Sequence, residues 1–164
     1  DGGEVTAAFS VIRLPPNAMA EGRVQMLTQD TPHAVWLESL IARDNAIDAL
    51  TGVIVCTSDP EEAAGRFANF SGRTSSKEEQ GIELALDRGN VSFVTPQQLQ
   101  ELIPGAQVPS DPFIAAAVMR SRNLAATMSF LKGRGVDFLK ISDDVIIVDG
   151  SQAMGAYLMI EGPR

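Results

Sequence analysis

Apolar positions in the middle of the chain follow first a strand pattern and then a helical one. Val53–Thr57 is a short, mostly apolar run of the kind that forms a buried strand. Asp59 can cap the helix that follows, and Gly72 can end that helix. Apolar residues recur on one face of this helix at Ala63, Phe67 and Phe70. Further apolar runs at Ile82–Leu86 and Asn90–Thr95 predict two strands after the helix.

The same order of elements recurs in the last third of the chain. Ile114–Met119 predicts a strand, and Asn123 can cap the next helix. The apolar stripe of that helix consists of Leu124, Met128 and Leu131. The strands after it are predicted at Phe138–Ile141, Val145–Val148 and Ala156–Ile160. An offset of 64 residues places Asp59 on Asn123 and Phe93 on Tyr157. Repetition of a whole element order favours an internal duplication over chance similarity between two short amphipathic patterns.

The region before the duplication predicts a hairpin. Glu4–Leu14 and Arg23–Gln29 each predict a strand, because both are short of turn residues and rich in apolar ones. Between the two repeats, Pro96–Ile103 predicts a short helix. The charged run Lys77–Glu79 is predicted to be a solvated turn.

These elements predict the domain organisation of a chain of 164 residues, a length typical of one domain. The predicted parts are a hairpin (1–29), a connector (30–49) and one domain (50–164), with repeats at about 50–110 and 111–164. The chain opens at Asp1 without a methionine. We therefore expect the chain to be a portion of something longer.

The duplicated strand-helix-strand pattern resembles the βαβββ unit of the vicinal oxygen chelate superfamily, which includes glyoxalase-like and bleomycin-resistance-like proteins. Leu50–Gly72 resembles the first strand and helix of such a unit, and Ser151–Glu161 resembles its last strand. The resemblance implies an α+β fold. In that fold two tandem βαβββ units form mixed, largely antiparallel, curved sheets with their helices on the outer faces. The resemblance implies that the hairpin is an addition, the tail of a truncated preceding unit whose start is missing.

The connector resembles the polar segment that joins two halves in one subgroup of glyoxalase-like proteins. Four residues match that segment, namely Gln29, Pro32, Trp36 and Asn45. Asp30 and Arg43 stand in place of its two histidines, and His33 stands in place of its glutamate. The resemblance, with the unpaired sheet edge it implies, predicts association with the missing N-terminal half or a homodimer.

The resemblance also implies a place for a divalent metal ion. Glyoxalase-type members hold it with His or Gln on first strands and Glu on closing strands. At the corresponding positions this chain has Gly52 and Ala116 on first strands, and Thr95 and Met159 near closing ones. None of these residues is a ligand of that type, so we expect neither a metal ion nor another cofactor.

Composition narrows the range of partners. Thirteen Lys and Arg against twenty-one Asp and Glu give a net charge of −8, which disfavours a nucleic-acid partner. No apolar run is long enough to span a membrane, so no membrane partner is expected. The single cysteine, Cys56, excludes an internal disulfide and favours a cytoplasmic location. It lies in a strand pattern, so we interpret it as a core residue rather than a nucleophile.

Candidate binding residues lie in the connector. The five predicted ligand-binding residues are Asp30, His33, Trp36, Arg43 and Asn45. Histidine is the side chain type whose unperturbed pKa lies near neutrality, and an Asp such as Asp30, three residues before His33, is expected to favour the cationic imidazole, which suits an anionic ligand. The alternative is a surface histidine with one local hydrogen bond. Trp36 is predicted mainly to pack in a core, and alternatively to form one wall of a ligand site.

A second pair of candidates precedes the second helix. Arg120 and Arg122 lie just before the predicted cap at Asn123, where cations and a helix N-terminus can hold an anion. Exposed, solvated charge is the alternative.

The sequence leaves three functions open. The chain is a metal-free protein that binds a small organic molecule in the sheet cup, a lyase, isomerase or dioxygenase with its site in a missing N-terminal half, or a structural dimerisation module. Whether it is an enzyme, and which residues would be catalytic, is left open by the sequence.

Overall fold

The structure is a computed structural model that describes residues 5–163 and forms two compact units, one up to Ala42 and one from Arg43. In the first unit, β1 (Phe9–Arg13) and β2 (Gln25–Gln29) pair antiparallel, with Val11 opposite Leu27. The predicted hairpin is therefore confirmed. Glu4, where its first strand was predicted to begin, lies outside the described residues.

The second unit is an α+β fold built on one mixed sheet of eight strands. Its strands are β3 (Ile47–Cys56), β4 (Ser75–Glu78), β5 (Gly81–Leu86), β6 (Gly89–Val94), β7 (Phe113–Ser121), β8 (Leu139–Lys140), β9 (Val145–Val148) and β10 (Tyr157–Glu161). Its helices are α1 (Pro60–Ser71), α2 (Pro96–Leu102) and α3 (Leu124–Gly133). None of the helices described in residues 5–163 is long and apolar enough to cross a membrane.

The strand order contains the duplication directly. It runs β4-β5-β6-β3 and then β7-β10-β9-β8, with β3 and β7 antiparallel at the centre. In each half the first strand pairs parallel with the last one, β3 with β6 and β7 with β10. Each half is thus a βαβββ unit, and the two predicted tandem units are confirmed.

Both repeats begin their helix with the same local hydrogen bonds. Asp59 and Asn123 each accept a bond from the backbone three residues later, as N-caps do. Just before each cap, the hydroxyl of Thr57 accepts from the Asp59 amide at 3.2 Å, and that of Ser121 accepts from the Asn123 amide at 3.1 Å. The offset of 64 residues therefore holds at the strand-to-helix turn.

The offset does not hold in the last strand of each repeat. Phe93 packs under α1, whereas Tyr157 packs on the opposite face of the sheet, so pairing these two residues was wrong. Ile160, which is 67 residues after Phe93, packs under α3 in the equivalent place. The second repeat has a longer connection before its last strand, which includes the 3₁₀ turn Gly150–Gln152.

Alternate residues of the strands enter two separate layers of core. The face covered by α1 and α3 buries two clusters, which include Val55, Ala63, Leu84 and Phe93, and Leu124, Ile146, Val148 and Ile160. The other face is covered in part by α2 and the loop after it, and its cluster includes Ile54, Val94, Leu99, Ile103, Ala116 and Met159. Cys56 is 1% exposed in this second cluster, as predicted for a core residue.

Two local predictions differ from the structure. Lys77 and Glu78, predicted to lie in a turn, belong to β4, which pairs antiparallel with β5 at the edge of the sheet. All four β4 residues are exposed, so the strand has no apolar alternation and is held by its backbone ladder. In addition, β3 begins at Ile47, within the predicted connector.

Candidate functional site

The sheet face that carries α2 also carries a cavity of about 970 Å³, which we call the cup. Its lining comes from both repeats, since β5, β6 and β3 contribute one side and β7 and β10 contribute the other. The residues that line the cup include Asp48, Ile54, Glu78, Glu79, Glu83, Asn90, Ser92, Val94, Val118, Arg120, Arg122, Met159 and Glu161. A cavity of this size accommodates a small organic molecule.

The floor of the cup is apolar because alternate residues of neighbouring strands point to the same face. Ile54, Val94, Val118 and Met159 come from four different strands, and all four belong to or pack against the cluster under α2. The wall of the cup next to α2 is therefore continuous with a packed core. A ligand that reaches this floor removes apolar surface from water, which is the main source of affinity for small molecules.

One polar pair of the cup joins β5 to β6. The Asn90 Nδ2 donates to Glu83 Oε2 at 2.7 Å. Asn90 lies beside Gly52 in the ladder of β3 and β6, and a Cβ on Gly52 would collide with the Asn90 Oδ1. Because Gly52 has no side chain, the Asn90 amide can occupy the space beside it. From this position the Asn90 amide donates to the Glu83 carboxylate and orients it.

A second polar pair joins β3 to β7. The Arg120 Nε donates to Asp48 Oδ1 at 2.9 Å. The hydrogen bond and the charge of Asp48 raise the pKa of Arg120, so the guanidinium stays charged at every physiological pH. Arg122 lies just after β7, and its Nη2 donates to the Arg43 carbonyl at 3.3 Å. Arginine at this end of the cup provides donors for a carboxylate or another planar anion.

The residues at the metal positions of the superfamily do not fit a divalent ion. Gly52 has no side chain and Ala116 is a fully buried methyl group. Thr95 caps α2 through a bond from the Gln98 amide, and Met159 is 8% exposed in the apolar cluster. Within residues 5–163, no group of three His, Cys, Asp or Glu side chains converges to hold a metal ion. We therefore derive no chemistry through a metal.

Three of the five predicted ligand-binding residues lie in the first unit. Asp30 accepts a hydrogen bond from the Ser10 hydroxyl at 3.0 Å, and His33 is exposed in the 3₁₀ turn that begins at Pro32. Trp36 is 64% exposed, and its Nε1 donates to the Gln29 Oε1. The interpretation of Trp36 as a packed core residue was wrong, because most of its side chain is exposed.

The other two predicted residues, Arg43 and Asn45, lie where the second unit begins. The Asn45 Oδ1 accepts from the Ile47 amide at 3.1 Å, so this side chain organises the start of β3. The lining of the cup contains none of the five predicted residues. The connector site stays a prediction, while Arg120, weighed for anion binding from the sequence, is part of the cup.

Sequence reasoning did not single out several polar residues of the cup, among them Asp48, Glu83, Asn90 and Glu161. A signal was present in β6, where Asn90 and Ser92 alternate with the helix-facing Val91 and Phe93. Such alternation puts polar side chains on the second face of a strand. Which polar residues then meet depends on the pairing of strands that are distant in sequence.

The sequence matches no protein-family model and no curated protein. The fold is similar to the crystal structure of methylmalonyl-CoA epimerase from Mycobacterium tuberculosis, with 17% identity, 76% of this chain and 93% of that chain covered, and a TM-score of 0.58. A further crystal structure of a methylmalonyl-CoA epimerase is 16% identical, with 73% of this chain and 98% of that chain covered and a TM-score of 0.53. The crystal structure of a hypothetical protein from Bacillus halodurans C-125 is 11% identical, with 71% of this chain and 94% of that chain covered and a TM-score of 0.51. With its two βαβββ units in one sheet, the chain therefore has a glyoxalase-like fold.

Proposed function

We propose that this glyoxalase-like protein binds a small organic molecule in the cup and does so without a metal ion. The observation that carries the proposal is the cup itself, a cavity of about 970 Å³ with an apolar floor and two polar pairs at its rim. Small-molecule sites have this composition, since apolar area supplies affinity and a few placed polar groups supply orientation.

The absence of ligating groups at Gly52, Ala116, Thr95 and Met159 supports the metal-free part of the proposal. In place of a ligand, Gly52 makes room for the Asn90 amide, and Met159 contributes to the floor. Gly52 and Met159 thus occupy two positions associated with a metal in the superfamily. Here Gly52 leaves room for a hydrogen-bonding amide, and Met159 makes apolar contact. Recognition would then rest on the side chains of the cup alone.

The experiment is a ligand titration followed by two-dimensional amide NMR, with small alcohols, amines, carboxylates and methylmalonyl-CoA as probes. We expect shift changes at cup residues, unchanged when EDTA is added. Val118→Trp fills the cup and should abolish them, whereas Val108→Trp, in a loop outside the cup lining, should leave them intact. Probe-induced shifts that survive Val118→Trp, or that require a divalent metal, would contradict the proposal.

A second candidate function is that of an isomerase-type enzyme that moves a proton on its ligand. Two carboxylates, Glu83 and Glu161, lie on opposite sides of the cup, and a carboxylate can act as a general base. The similar solved structures include a methylmalonyl-CoA epimerase in complex with methylmalonyl-CoA. Incubation with methylmalonyl-CoA in D₂O should then exchange the proton at C2, and Glu83→Gln should abolish the exchange. Absence of exchange above the rate in buffer would reject this candidate for that substrate.

A further inference from the structure

We infer that the ligand of the cup is an amino-acid-like zwitterion, with its amine at Glu83 and its carboxylate at Arg120. This inference rests on the proposed binding function and names the class of molecule that the same site would take. It is carried by the two hydrogen-bonded pairs, by the distance between them and by the apolar floor that separates them.

The amine end is the Asn90–Glu83 pair. A carboxylate has about four acceptor positions, so the single bond from Asn90 Nδ2 leaves Glu83 able to accept further hydrogen bonds. A protonated amine offers three donors and a positive charge to this position. The Asn90 amide orients the carboxylate before the ligand arrives, which reduces the entropy lost on binding.

The carboxylate end is Arg120. Its Nε is bonded to Asp48, and an arginine has five N–H donors in one plane, so the guanidinium retains donors for a second carboxylate. The Arg120 side chain is 51% exposed, which keeps those donors accessible from the cup. Asp48 holds the guanidinium in place in the same way that Asn90 holds Glu83.

The strand register sets the length of the ligand. Asn90 lies beside Gly52, Gly52 lies opposite Val118, and Arg120 is two residues beyond Val118. Two strand spacings and two residues of rise correspond to about 10 Å and about 7 Å, so the Cα atoms of Asn90 and Arg120 are roughly 12 Å apart. The Glu83 carboxylate is held at the Asn90 amide, so this distance marks the separation of the two ends, and Val118 lies between them. We therefore choose a chain of about five methylene groups between amine and carboxylate for the probes.

The overall charge of the lining disfavours a polyanionic ligand. The cup contains five carboxylates, from Asp48, Glu78, Glu79, Glu83 and Glu161, against the two arginines Arg120 and Arg122. A polyanion such as a coenzyme A thioester would meet net repulsion there, and the net charge of −8 on the chain adds to it. The isomerase candidate with methylmalonyl-CoA and the zwitterion inference are therefore alternatives. A zwitterion adds no net charge and uses both polar pairs.

The test is a matched series of four probes with a six-carbon chain: 6-aminohexanoate, hexanoate, hexylamine and hexanol. We expect 6-aminohexanoate to bind at least about tenfold more tightly than the other three in NMR titrations at low salt, which corresponds to one charge-assisted hydrogen bond. Glu83→Gln should weaken 6-aminohexanoate and hexylamine but not hexanoate. Arg120→Gln should weaken 6-aminohexanoate and hexanoate but not hexylamine.

Two charge-removing variants on α1 serve as controls, Glu61→Gln and Arg66→Gln, and both should leave all four affinities unchanged. Binding of the four probes with equal affinity, displaced by Val118→Trp, would overturn the zwitterion inference while the proposed binding function stands. Binding of none of the probes in this series, nor of any probe in the broader titration, would overturn both. Loss of all probes in Glu83→Gln with an unchanged circular dichroism spectrum would also contradict the division into two ends.

Discussion

Replacement of Thr127 by valine tests the hydrogen bonds that fasten α3 to the start of β3. Thr127 is fully buried, and its Oγ1 donates to the Asn45 carbonyl at 2.7 Å and lies 2.7 Å from the Ser121 Oγ. Valine keeps the shape of threonine but removes both bonds. Each bond contributes about 0.5–1.5 kcal/mol, and the buried groups left behind lose their partners, so we expect a loss of about 2 kcal/mol of unfolding free energy.

The assay is urea unfolding followed by circular dichroism. With a denaturant slope of about 2 kcal/mol per molar, the midpoint should fall by about 1 M. Ser121→Ala, combined with Thr127→Val in a double-mutant cycle, should show a coupling of about 1 kcal/mol, because the two hydroxyls are partners. Thr74→Val, at an exposed position, should change stability by less than about 0.5 kcal/mol. A Thr127→Val protein as stable as the Thr74→Val control, or an additive cycle, would refute this account.

Three further predictions concern the unit that begins at Arg43. Gly52→Ala should displace the Asn90 side chain and weaken binding in the cup while stability changes little, as measured by NMR titration and urea unfolding. Hydrogen bonds from Ser58 lower the pKa of Asp111, so its contribution to stability is present above about pH 4 and is lost as the pH falls through the lower folded value. In Asp111→Asn, the urea midpoint should therefore fall less steeply between about pH 5 and about pH 3 than it does in the parent protein. Burial, and then the charge of Asp111, raise the pKa of Cys56, so its thiol should react with a disulfide reagent at least about a hundredfold more slowly in the folded chain than in urea.

Each of these outcomes has a result that would contradict it. Gly52→Ala with undiminished binding would show that the Asn90 amide has no role in the cup. An acid-side slope that is the same in Asp111→Asn and in the parent would remove Asp111 from the pH dependence. Equal labelling rates for Cys56 in buffer and in urea would mean that the thiol is accessible in the folded chain.

The parts of the fold that the sequence predicted are those fixed by neighbouring residues. The caps at Asp59 and Asn123 act over three residues, so a short pattern is enough to identify them. The order of elements in each repeat followed from such local signals, and the two tandem βαβββ units followed from the family resemblance. β4 was missed for the opposite reason, because an exposed edge strand of Ser, Lys and Glu has no apolar alternation and depends on its partner strand.

The cup could not be predicted in the same way, since its pairs join residues from different strands. Arg120 meets Asp48 across 72 positions of sequence, and that meeting depends on an irregular register between β3 and β7. A slip of one residue would turn either side chain to the other face of the sheet. The connector site was predicted from the spacing of its residues along the chain, which does not show how those residues are arranged in space. Trp36 shows the limit of that evidence, since its position matches the resemblance while its ring is largely exposed.

The placement of α2 has a consequence for binding stoichiometry. The duplication produces two equivalent ends on the cup face of the sheet, one at either end of the central β3–β7 pair. α2 and the loop after it fill one end with Leu99, Ile103 and Ala106, and the cup occupies the other. Two copies of the scaffold therefore form one cup on this face of the described sheet. The internal symmetry survives in the backbone and is broken where a ligand would be held, so each repeat is free to supply a different half of a single recognition surface.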